Sequence, residues 1–202
     1  MSAPTIATAG RSARPRARLA NLGIMAITAV VIFMVAFLAN QPAPGSQGGV
    51  TPVSVTGGAS GKAPVIGEIA PDFKATTDAG KALQLSGLAG SPVWLSFGAS
   101  WCQPCRAENP DIQAAWDKYR DKGLVLVQVY MSEDAATVSK YAETVGLTYT
   151  RVPDPDTRLA SIYRIVGIPS HFFIDKAGTL RVLRIGTLDP KAIDAALKDV
   201  MG

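Results

Sequence analysis

The hydropathy pattern divides the chain into three blocks. Leu19 to Ala39 is apolar and uncharged, residues 40–63 are rich in Gly, Pro, Ser and Thr, and from Pro64 onward short apolar runs alternate with amphipathic ones. Within the third block, Val93-Trp94-Leu95-Ser96-Phe97 and Leu124 to Tyr130 are nearly continuous apolar runs of strand length, the pattern of strands buried on both faces. Asp72 to Thr77, a turn at Asp78-Ala79-Gly80-Lys81, and Ala82 to Leu85 predict a hairpin. Pro104 to Tyr119 predicts a helix, with Pro104 tolerated in the first turn and Pro110 expected to kink it. A second helix is predicted from Asp134 to Val145, stopped by Gly146, then a short strand over Leu147 to Val152 and a short helix over Asp156 to Tyr163. His171 to Asp175 and Thr179 to Ile185 predict a second hairpin around Lys176-Ala177-Gly178, and Asp189-Pro190 opens a last helix. Strands alternating with helices, then a hairpin, imply an α/β domain with a mixed sheet covered by helices.

The charge distribution sharpens the reading of the N-terminus. The formal charge of +4 on these 202 residues is matched by Arg11, Arg14, Arg16 and Arg18; the remaining basic and acidic residues balance. The basicity is thus an N-terminal device, and the folded domain carries no nucleic-acid footprint. As a helix, Leu19–Ala39 would be about 31 Å long, enough to cross a bilayer core. The preceding arginines predict a cytoplasmic N-terminus, with everything after the span across the membrane. A cleaved signal peptide is the alternative, disfavoured by the length of the apolar core and by bulky Phe37 where a small residue belongs. Both readings place the domain in an oxidising compartment. The expected organisation is a basic cytoplasmic segment (1–18), a signal-anchor (19–39), a flexible linker (40–63) and a folded domain (64–202) in a single-pass cell-membrane protein.

Chemistry concentrates in Trp101-Cys102-Gln103-Pro104-Cys105-Arg106, which holds both cysteines of the chain. The pair falls where the strand ending at Phe97 gives way to the helix, so Cys102 meets free backbone N–H groups and the positive end of the helix dipole, which stabilise a thiolate. Cys102 is the expected attacking thiol and Cys105, one turn deeper, the resolving one. A purely structural bridge would enclose too few residues to constrain the unfolded chain much. Zinc would need two more ligands, and the chain offers one histidine and no further cysteine. Glu108 returns to nearly the same helix face as Cys105, where a carboxylate can raise a thiol pKa or relay a proton; an acid near a helix N-terminus can also be there for the dipole alone.

Ala70-Pro71-Asp72-Phe73, Phe97 to Glu108, and Gly167-Ile168-Pro169 followed by Phe172-Phe173-Ile174-Asp175 together resemble the membrane-anchored thioredoxin-fold proteins of the TlpA/ResA type, related to the CcmG thiol–disulfide oxidoreductases. The resemblance covers about residues 64–200. It implies a thioredoxin fold with an N-terminal β-hairpin extension and an αβ insertion, preceded by one transmembrane helix. It makes Cys102, Cys105 and Glu108 the catalytic residues. Trp101, Pro104, Ile168 and Pro169 would shape the site, with Pro169 as the family's cis-proline and Ile168 pairing with an extended substrate. Thioredoxins carry a buried aspartate six residues before the first cysteine; here Ser96 stands there, leaving Glu108 as the available carboxylate. The implied activity is protein-disulfide reduction without cofactor or metal, by a monomer. Oxidised exported proteins such as apocytochrome c would be substrates, and a CcdA- or DsbD-type membrane protein the electron donor.

Two rival functions use the same residues. A copper chaperone of the Sco type would bind metal through Cys102, Cys105 and His171, though those proteins space their cysteines by three residues. A thiol peroxidase would share the Ala-Pro-Asp-Phe start but needs Thr or Ser where Ala99 stands and proline where Gly98 stands.

Overall fold

The computed structural model describes residues 29–36 and 63–202. Residues 29–36 are helical and exposed and belong to a unit, Met1–Gly49, separate from Val50–Gly202. The rest of the expected signal-anchor and nearly all of the linker lie outside the described residues. Among the described residues no helix is long and apolar enough to cross a membrane.

The domain opens with a hairpin of β1 (Lys74–Thr76) and β2 (Ala82–Gln84), paired antiparallel. Its turn needs a left-handed residue, supplied by Gly80 at φ 77°, whose N–H donates to the Thr77 carbonyl at 2.9 Å. β3 (Val93–Gly98), β4 (Val125–Met131), β5 (Thr150–Asp154), β6 (Ser170–Ile174) and β7 (Leu180–Ile185) form one sheet in the order β5-β4-β3-β6-β7. β3, β4 and β5 run parallel, whereas β6 and β7 run antiparallel to their neighbours. This is a mixed, thioredoxin-like sheet with β3 at its centre, and the burial of the whole of β3 follows from being covered on both faces.

Helices α1 (Gln103–Tyr119), α2 (Ala135–Val145), α3 (Arg158–Ile162) and α4 (Pro190–Met201) flank the sheet. Asp134 and Asp189 cap α2 and α4, accepting from the N–H groups of Thr137 and Ala192, and Gly146 closes α2 in the left-handed conformation. α1 runs on through Pro110, which costs one internal hydrogen bond without ending the helix.

Most boundaries shift by a residue or two from expectation, and two of the shifts have a clear physical cause. β5 spans Thr150–Asp154 rather than Leu147–Val152, because Pro153 is tolerated on an edge strand, where its missing donor faces no partner. α3 begins at Arg158 rather than Asp156: the Asp154 carboxylate accepts from the N–H groups of Leu159 and Ala160 at 3.2 and 3.0 Å and so caps the helix from below.

Alternation along β3 builds two layers of core. Leu95 and Phe97 point to the face covered by the hairpin and α3, where Phe97, Phe172 and Tyr163 pack with centroids 4.9–5.7 Å apart. Trp94 points to the other face, stacks on Phe173 at 5.1 Å, and shares a core with Ile112 of α1 and Ile193 and Leu197 of α4. The segment entering the domain is tied to the β6–β7 turn: the Gly67 and Ala70 N–H groups donate to the Leu180 and Gly178 carbonyls at 2.8 and 2.9 Å. That turn lies beside Val93, at the end of β3 away from Cys102.

Candidate active site

β3 ends at Gly98, and four residues later Cys102 becomes the N-cap of α1. Its Sγ accepts from the Cys105 N–H at 3.2 Å, so the sulfur sits where the free donors of the first turn converge. The two cysteines are joined in a disulfide with Cα atoms 5.3 Å apart. Pro104 lies in the first turn, where an N–H would have no helical partner anyway. Both cysteines are nearly buried, at 5% and 2% exposure.

The loop between β3 and α1 is held from a neighbouring strand. Glu133, just past the end of β4, accepts from both the N–H and the hydroxyl of Ser100, the former at 2.8 Å. Ser132 before it takes a left-handed φ of 59°, which turns the chain toward the loop. Sequence reasoning missed this clamp. The usable signal was the parallel pairing of β3 and β4, which sets their C-terminal loops side by side.

The opposite wall is the cis Ile168–Pro169 peptide. Ile168 packs against Ala99, Cys102 and Cys105, and its backbone belongs to no strand because β6 starts at Ser170. Trp101, expected to help shape the site, is 63% exposed. A core position is thereby excluded: the residue lies in the loop between β3 and α1, whose neighbours Ala99 and Cys102 take the buried places. Val166, on the chain leading to the cis peptide, is also exposed.

Beneath α1 the sheet is polar. Strand register aligns Gln128 of β4, Ser96 of β3 and His171 of β6 in one row, each at most 2% exposed. Gln128 accepts from the Tyr149 hydroxyl at 2.8 Å. Gly98 lies one step along the same face; a Cβ there would stand 2.9 Å from the Gln128 amide nitrogen and 3.5 Å from Cys105 Sγ. Tyr130 and Tyr149 lie on this side, and burial pushes both phenols up, so they stay neutral; of the two, the Tyr149 hydroxyl is the one that donates to Gln128.

Glu108 descends from α1 onto this row. It is 3% exposed, which rules out a solvated acid placed only for the helix dipole. Its Oε1 stands 3.2 Å from His171 Nε2, within ion-pair distance but without the alignment of a well-formed hydrogen bond. His171 is completely buried, and its Nδ1 accepts from the Trp94 Nε1–H at 3.3 Å. The copper reading therefore loses its third ligand: the ring nitrogens face Trp94 and Glu108. Among the described residues no group of three or more His, Cys, Asp or Glu is placed to hold a metal ion.

The disulfide at the N-terminus of α1, the cis peptide and the buried carboxylate all lie within a stretch of chain that matches known proteins. Residues 66–183 match the AhpC/TSA family. The chain is 32% identical over 135 residues to the thiol-disulfide oxidoreductase ResA of Geobacillus kaustophilus, covering 67% of this chain and 78% of that one. The crystal structure of a thioredoxin-family thiol:disulfide interchange protein from Chlorobium tepidum TLS superposes with a TM-score of 0.62 at 27% identity, over 69% of this chain and all of that one. StoA from Bacillus subtilis has the same fold, with a TM-score of 0.56 at 24% identity over 64% of this chain and 98% of that one. The chain belongs to the AhpC/TSA family, as a thiol–disulfide oxidoreductase of the ResA type.

Proposed function

We propose that the protein is an extracytoplasmic, membrane-anchored reductase of protein disulfides. The placement of Cys102 Sγ at the N-cap of α1, facing the Cys105 N–H, carries this reading. Once reduced, the same donors and the helix dipole favour the Cys102 thiolate, which attacks a substrate disulfide; one substrate sulfur leaves as a thiolate and the other is captured. Cys105 then gives up its proton, attacks Cys102 Sγ and releases the second substrate thiolate, leaving the Cys102–Cys105 disulfide. Glu108, on the Cys105 face of α1, is the group that accepts the Cys105 proton. Ile168 and the exposed Trp101 receive the extended segment around the substrate disulfide, and Pro104 and Pro169 fix the shape of the pocket.

The arginine-rich start and the apolar Leu19–Ala39 segment support anchoring with the domain outside the cytoplasm. Anchoring would confine the enzyme to the surface that holds a CcdA- or DsbD-type electron donor, raising their effective concentration. Apocytochrome c with an oxidised CxxCH is the substrate favoured by the resemblance to TlpA, ResA and CcmG proteins. The test is the equilibrium reduction potential of the Cys102–Cys105 pair. A value near or below about −270 mV, as in thioredoxin, is expected; one near about −120 mV, as in the strong periplasmic oxidant, would make it a disulfide-forming enzyme instead. Cys105→Ser should accumulate substrate in mixed disulfide on Cys102, and membrane fractions should retain the intact chain.

A further inference from the structure

We infer that His171 is a positioning residue for the thiol chemistry: it holds one oxygen of the buried Glu108 carboxylate and thereby presents the other to the proton of Cys105. This rests on the disulfide exchange proposed above and adds to it a residue outside the cysteine motif.

The geometry gives His171 a defined proton arrangement. The Trp94 indole N–H can only donate, so Nδ1 is the acceptor and the proton of the neutral ring sits on Nε2. That nitrogen lies 3.2 Å from Glu108 Oε1. Both Glu108 oxygens and His171 Nε2 are buried without a well-aligned hydrogen bond among the described residues, and of the two oxygens Oε1 is the one at ion-pair distance from the ring. Glu108 and Cys105 are three residues apart on one helix, which brings their Cβ atoms to about 5–6 Å. One carboxylate oxygen thus faces the histidine of the strand below, and the other is left for a group on the helix's own face.

The surroundings leave few competitors. Against the imidazole, α1 presents Glu108, and β3 presents Ser96 and Trp94, neither of which titrates near neutrality. β7 presents Arg184 by register, but that side chain is exposed and donates to the Leu183 carbonyl. The buried residues of α4 are Ile193, Ala196, Leu197 and Val200, all apolar. A lone carboxylate in such a site would be expensive to bury. The Nε2–H of the neutral imidazole, turned toward Oε1, offsets part of that cost, and the carboxylate loses its charge when it takes the proton from Cys105. During resolution the Cys105 proton passes to Glu108, the Cys105 thiolate bonds to Cys102 Sγ, and the bond from Cys102 to the substrate sulfur breaks. Its electron pair leaves on the substrate thiolate, which takes a proton from water.

The reagent 5,5′-dithiobis(2-nitrobenzoate) separates the two thiols in the reduced full chain. Attack by Cys102 releases the first thionitrobenzoate, and resolution by Cys105 releases the second. His171→Leu is expected to slow the second release about tenfold near neutral pH and move its pH profile, leaving the first release unchanged. His171→Gln, which keeps an N–H for Glu108, should recover much of the rate. In a Glu108→Gln background, His171→Leu should add nothing further. An unchanged second release and pH profile, equal slowing of both releases, or full additivity with Glu108→Gln would each overturn the inference. Should His171→Leu fail to fold, Trp94→Phe removes the donor that fixes the tautomer and must slow only the second release. Failure of the unsubstituted protein to release a second equivalent would instead refute the exchange reaction itself.

Discussion

Neighbouring residues of β3 look onto different worlds. Leu95 and Phe97 meet Val127, Val129 and Phe172 in a layer closed by Tyr163 and the hairpin. Ser96, between them, meets Gln128 on one side and His171 on the other, with Glu108 lowered from α1 above. The first face gains stability from dry packing. The second gives up some of that by burying a carboxylate, an imidazole and an amide, whose worth depends on every partner being in place. The polar row lies against Cys105, so the cost is borne where protons must move.

This division can be attacked from either side. The largest effect is expected from Phe97→Ala, which opens a cavity in the apolar layer and should lower unfolding stability by about 3–5 kcal/mol in urea titration. The alkylation rate of reduced Cys102 should barely change; if it falls in step with stability, the faces are not separate. Gly98→Ala sharpens the contrast from the other side. Its new methyl group forces the Gln128 amide off Tyr149 and crowds Cys105, costing about 1–3 kcal/mol but shifting the redox equilibrium of the cysteine pair several-fold. Stability loss without a redox shift would mean that the polar row is mere filler.

The smallest effect is expected at Asp72, on the apolar side. Its carboxylate takes hydrogen bonds from Gln84 and from the N–H and hydroxyl of Ser86, fastening the hairpin. Desolvation pulls its pKa upward, but these donors outweigh it and leave the pKa below the ordinary 3.8. With the folded value depressed, the stabilisation is present above the unfolded pKa and disappears as pH falls through the folded one. Asp72→Asn should cost about 1 kcal/mol at neutral pH, since the site is exposed, and the gap should close in acid below pH 3.8. A gap that persists there would assign the effect to packing.

The apolar layer was the more legible half. Strands β3 and β4, the capping aspartates Asp134 and Asp189, and the first hairpin follow from periodicity and turn chemistry, which are local properties of the chain. Cys102 and Cys105 were equally readable, because their chemistry is set by spacing and by the helix start. The polar row was not. That Ser96, His171 and Gln128 share a row depends on strand register, and register is fixed by pairing between distant segments. His171 read alone suggested a metal ligand, since nothing local pairs it with Glu108. The Glu133 clamp on Ser100 was hidden for the same reason.

The chain enters the domain beside the β6–β7 turn, while the disulfide crowns the other end of β3, a strand of six residues and so about 20 Å long. The domain's first described residues therefore lie at the pole opposite the sulfurs. A fusion partner, a bead or a surface coupled there would leave the cysteines facing outward, open to a bulky substrate, so immobilisation through the N-terminus should preserve turnover that coupling near Trp101 would block.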